Sequence, residues 1–102
     1  MRYTYYVIAD EDIVLGFRTA GIMGQAVSNR EEALEALKLA QRKSVGVVII
    51  TEEVSDWISA EVEQIRFGEA LPLIVEIPGM NGPLPGRKSL PDMIREALGI
   101  RV

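Results

Sequence analysis

Val45-Gly46-Val47-Val48-Ile49-Ile50-Thr51 contains no charged residue and no alternation of apolar with polar side chains. A β-branched run of this kind has no face suited to water, so it predicts a strand at the centre of a parallel sheet, covered by helices on both sides. The segment before it is strongly amphipathic. Ala33, Leu34, Leu37 and Ala40 or Gln41 share one side, while Glu31, Glu32, Glu35, Lys38, Arg42 and Lys43 fall on the other. Ser28 or Asn29 is the expected cap, and the acidic start and basic end suit the helix dipole. After the central run, Thr51 can cap a helix reaching to about Gly68, with Val54, Ile58, Val62 and Ile65 on one stripe and Trp57 beside it.

Further out, Tyr5-Tyr6-Val7-Ile8-Ala9 is a second short apolar run, ending at Asp10-Glu11-Asp12. It predicts the first strand. Ile13, Val14, Phe17 and Ala20 then recur at helical spacing, with Asp10 or Asp12 able to cap and Gly21 to stop the helix. Met23–Val27 is a weaker strand, and Leu73–Ile77 after Pro72 is a fourth. The β-α-β-α-β-α-β-α order predicts an α/β fold: a four-stranded parallel sheet with right-handed crossovers, strand order 2-1-3-4, flanked by helices. Residues 78–86 hold three Pro and three Gly, which marks a loop. Beyond it, Ser89 or Asp92 can cap a last helix, with Pro91 tolerated in its first turn and Met93, Ile94, Ala97 and Leu98 at helical spacing before Gly99. The expected organisation is a globular part at 1–78, a Pro/Gly-rich linker at 79–88 and a C-terminal helix and tail at 89–102.

Composition narrows the chemistry. The chain has 102 residues, enough for one core, and a net charge of −4 at pH 7. That balance disfavours nucleic acid and anionic membrane surfaces as partners. With no Cys and no His, thiolate and imidazole ligands and the usual nucleophile and base pairs are excluded. No run approaches the ~20 apolar residues that span a bilayer, and the first residues lack the apolar centre of a signal peptide, so direct membrane insertion is not expected and a cytoplasmic location is. Neither glycine-rich phosphate-binding motif is present. No catalytic residue, cofactor site or metal site is therefore assigned.

In a doubly wound sheet the ligand crevice lies beyond the carboxyl ends of the strands, where Asp10, Glu11, Asp12, Thr51 and Glu52 would gather. A response-regulator receiver domain has this architecture, and a Mg²⁺ or phosphoryl site is the alternative reading. The resemblance stops at the first strand: Thr51 or Glu52 stands where the phospho-accepting Asp should be, Pro78 follows the fourth strand, and no fifth strand bearing Lys is visible. A flavodoxin-like module for a small ligand is a third reading. The simpler role of these acids is to cap helix N-termini. Phe17 and Trp57 are candidates for either core packing or partner contact. Charge is also uneven: residues 87–102 hold four cations against two acids, net +2, whereas residues 1–86 hold seven against thirteen, net −6.

The stretch Ala9-Asp10-Glu11-Asp12-Ile13-Val14-Leu15-Gly16-Phe17-Arg18-Thr19-Ala20-Gly21 resembles the G-D-x-D-T-V-x-G-F-R-L-A-G segment of the F subunit of the archaeal and vacuolar-type (A/V-type) rotary ATPases. The resemblance continues through Glu31-Glu32-Ala33-Leu34, Val48-Ile49-Ile50-Thr51-Glu52 and Pro72-Leu73-Ile74-Val75-Glu76-Ile77-Pro78, in order and over nearly the whole chain. Ala9, Ile13 and Thr19 depart from the family's usual Gly, Thr and Leu. The resemblance implies a non-catalytic central-stalk component that pairs with the coiled-coil shaft, the D subunit, inside the complex of the catalytic A/B head. It also implies a C-terminal helix that can extend toward that head and modulate hydrolysis. Here that segment would be 87–102, with Arg87, Lys88, Met93, Ile94, Arg95 and Leu98 as its regulatory residues. For the shaft contact, Gly16, Phe17, Arg18, Met80 and Leu84 are the candidates, as an aromatic and Arg pair beside loop apolar residues.

Overall fold

The computed structural model describes residues 4–68, 71–80, 82 and 84. In chain order they form β1 (Tyr5–Ala9), α1 (Glu11–Thr19), β2 (Gly24–Ala26), α2 (Arg30–Arg42), β3 (Val47–Thr51), α3 (Glu52–Trp57), α4 (Ser59–Phe67) and β4 (Leu73–Ile77). The strands make one parallel sheet in the order β2-β1-β3-β4, as the patterning predicts. The central run begins its pairing at Val47, two residues later than the apolar stretch itself, and Val45 is buried just ahead of it.

Local chemistry explains the helix starts. Asp10, Asn29 and Thr51 each adopt extended backbone and accept a hydrogen bond from the backbone N–H three residues on, at Ile13, Glu32 and Val54. This satisfies a donor that the first helical turn leaves open. Glu32 also reaches back past the cap, its carboxylate accepting from Ser28 N–H at 2.7 Å, one residue before the Asn29 N–H that a capping box engages. At the end of α1 the chain reverses through Gly21, whose φ of 87° lies in the left-handed region. Gly24 lets β2 lie close against β1, since a Cβ there would collide with the Val7 carbonyl oxygen and Cγ1.

One expected element is divided. The helix predicted from Thr51 to about Gly68 breaks at Ile58, whose φ −126° and ψ 35° lie outside the helical region. Ile58 is fully buried, and the Trp57 carbonyl at the break accepts a hydrogen bond from Arg30 Nη1 at 2.6 Å. Arg30 also pairs with Glu61 at 2.9 Å. A side chain from α2 thus occupies the carbonyl next to the break, so the discontinuity is a tertiary feature that the stripe of apolar residues does not reveal.

The sheet's two faces differ. On one, Ile8, Val48, Ile50 and Ile74 meet Ala33, Ala36, Leu37 and Ala40 of α2, Val54 of α3, and Ile58 and Val62 at and within α4 in one buried cluster. On the other, Val7 and Ala9 meet Ile13 and Val14 of α1, with Phe17, Ile22, Ile49 and Ile77 partly buried around them. Tyr5, Val47 and Leu73 form a lateral row on this second face, followed by Val7, Ile49 and Val75. Exposure in these rows is high away from α1: Leu73 is 62% exposed and Tyr5 51%.

Candidate functional site: a groove between α1 and the end of β4

The second face ends in an apolar groove of about 530 Å³, bounded by Gly16, Phe17 and Ala20 of α1 and its end, and by Ile77, Pro78 and Met80 at and after the end of β4. Of the lining residues, Phe17 is half-buried against the smaller core cluster and Met80 is largely exposed. Asp12 supplies the charged side chain among the lining residues. Gly16 sits inside α1 with nothing within 4 Å of where a Cβ would lie. A glycine there costs the helix roughly 1 kcal/mol relative to Ala, so local stability does not account for it. Together with Ala20, one turn on, it leaves a shallow trough into which another backbone can come close.

Three of the five shaft-contact candidates, Gly16, Phe17 and Met80, therefore converge on one groove. Arg18 does not join them: it lines a separate depression of α1 with Leu15 and Ala26. Leu84 lies in a small cavity over the carboxyl ends of the strands, with Asp10, Thr51, Glu53 and Met80. Sequence reasoning missed the open rows at Tyr5, Leu73 and Val75, because an apolar strand residue carries no mark of whether a helix covers it. The expected helix at 89–102, and the regulatory residues Arg87, Lys88, Met93, Ile94, Arg95 and Leu98, lie outside the described residues.

In the crevice beyond the strand ends, Asp10 and Thr51 are engaged as helix caps, and Glu52, only 5% exposed, accepts the Leu84 N–H at 3.1 Å. Among the described residues, no group of three or more acids is arranged to hold a metal ion. Nor is any helix among them long and apolar enough to cross a membrane. The described part is thus a small doubly wound α/β domain whose crevice side chains serve helix ends and a loop, with its open apolar surface elsewhere.

Comparison with known proteins makes the class specific. Residues 6–96 match the family described as ATP synthase (F/14-kDa) subunit. The A-type ATP synthase F subunit of Methanothermobacter thermautotrophicus is 33% identical over 98 residues, covering 94% of this chain and 92% of that one. The V-type ATP synthase F subunit of Clostridium botulinum is 31% identical over 97 residues, covering 94% and 93%. The crystal structure of the V-type ATP synthase F subunit from Archaeoglobus fulgidus superposes with a TM-score of 0.61 at 25% identity, covering 76% of this chain and 99% of that one. The chain belongs to the family of F subunits of A-type and V-type ATP synthases.

Proposed function

We propose that the chain is a non-catalytic central-stalk component on the cytoplasmic side of an A/V-type ATPase, seated on the shaft (the D subunit) and peripheral to the membrane. In this reading ATP turnover belongs to the A/B head, and this chain helps couple or regulate it with ion transport. The observation that carries the reading is Gly16: a helix-interior glycine on the wall of an apolar groove is costly alone and useful where a partner helix packs closely. Gly16, Phe17 and Met80 are the proposed centre of the shaft contact, with Arg18 and Leu84 at its margins.

Residues 87–102 are the proposed regulatory arm. Their Met93, Ile94 and Leu98 need apolar cover, and the exposed rows Tyr5, Leu73 and Val75 offer it when the arm is docked. The arm's net charge of +2 is attracted to the acidic remainder. When extended, the same side chains must find an equivalent groove on the head, so partner state biases the equilibrium. Deleting residues 87–102 is expected to leave a folded core that still binds the shaft and to change the ATPase rate of the assembled complex. An unchanged rate removes the regulatory role.

The receiver-like alternative gains no support from the crevice, where Thr51 and Glu52, at the phospho-acceptor position, cap α3 and hold the Leu84 amide.

A further inference from the structure

After β4 the chain does not leave the domain directly. Gly82 N–H donates to the Gly79 carbonyl at 3.0 Å, and Gly82 takes a φ of 86°, so the loop turns back on itself. The turn carries Leu84 over the carboxyl ends of β1 and β3, where the residue is half-buried and its N–H reaches Glu52 Oε1. This hydrogen bond ties the strap that follows β4 to the body of the domain. Its acceptor is buried at the first position of α3, where a hydrogen bond is shielded from competing water.

We propose that Glu52 is a clamp for the strap that follows β4: by holding the Leu84 amide it fixes the position and direction of the backbone at Leu84 over the strand ends. The clamp is intramolecular and stands without reference to any partner. Its regulatory consequence rests on the arm proposed above. Glu52 acts here as a positioning residue, since it governs the arm through the backbone of Leu84.

The test is amide hydrogen exchange on the full chain. Glu52→Ala should speed exchange at Leu84 by about tenfold, leaving the Ile50 and Leu37 amides of the core unchanged. Glu52→Gln, which keeps an acceptor oxygen, should fall between Ala and the parent. Because Glu52→Ala risks folding defects, Leu84→Pro removes the donor from the other side, and both variants should raise the rate of tryptic cleavage at Arg87 and Lys88 severalfold. Unchanged Leu84 exchange in Glu52→Ala, or unchanged cleavage in Leu84→Pro, overturns the clamp. An altered ATPase rate in the complex addresses the regulatory reading separately, so failure of one does not imply failure of the other.

Discussion

Ile74 and Val75 are neighbours on one strand and lead different lives. Ile74 belongs to the larger core cluster and is 6% exposed; Val75 faces the α1 side and is 40% exposed. The same contrast runs across the sheet. One face is sealed by α2, α3 and α4, and the other is covered mainly where α1 lies over β1 and β2. The sealed face holds the larger share of the buried core, and with it more of the stability that burial supplies. The open face exposes apolar surface that a domain of this size rarely leaves bare without a use for it.

The largest expected effect breaks or upholds that contrast within β4. Ile74→Ala should cost about 2–5 kcal/mol, the usual loss for truncating a buried Ile, whereas Val75→Ala should cost less than about 1 kcal/mol as a half-exposed substitution. Urea unfolding of the two variants measures both, and equal losses would mean that the faces are energetically alike.

A smaller effect of opposite sign is expected at the groove. Gly16→Ala should stabilise the isolated chain by roughly 0.5–1 kcal/mol, since the helix gains propensity and the new methyl group meets open space. A shift of the unfolding midpoint in the other direction would show that the glycine serves the domain's own packing.

The smallest effect lies at the α2 and α4 junction on the sealed side. Hydrogen bonding from Arg30 holds the Glu61 carboxyl below its ordinary range, helped by a backbone hydrogen bond, and the same bond from Arg30 holds its guanidinium above its own. A carboxyl with a lowered folded pKa stabilises the fold above the unfolded carboxylate pKa and ceases to do so as pH falls through the folded value. Both side chains are exposed enough for solvent to screen the pair. Acid titration of thermal stability should therefore show a small loss in this window that Glu61→Gln abolishes.

Much of the fold was legible because the signals were local. The unalternating run ending at Thr51 implied a central strand, and Asp10 or Asp12, Ser28 or Asn29, and Thr51 marked helix starts as side chains able to satisfy free N–H groups; the structure uses Asp10, Asn29 and Thr51. The break at Ile58 was not legible, since Arg30 answers it from another helix. For the site, Gly16, Phe17 and Met80 carried recognisable character as a helix glycine, an aromatic and a loop Met. Their convergence depends on where the end of β4 falls beside α1, and no spacing in the sequence expresses that. The burial of Glu52 against the Leu84 amide likewise required the loop to turn back at Gly79–Gly82.

The central claim is that the groove beside Gly16 is the seat of the shaft. Calorimetric titration of the purified shaft protein into the full chain tests it most directly, comparing the parent with Gly16→Phe, a variant whose ring fills the trough from an open position. A loss of affinity of at least about tenfold, with an unfolding midpoint no lower than the parent's, is the predicted result, since excluding one well-packed contact at the centre of an interface costs more than about 1 kcal/mol. Equal affinity of the two chains for the shaft would contradict it.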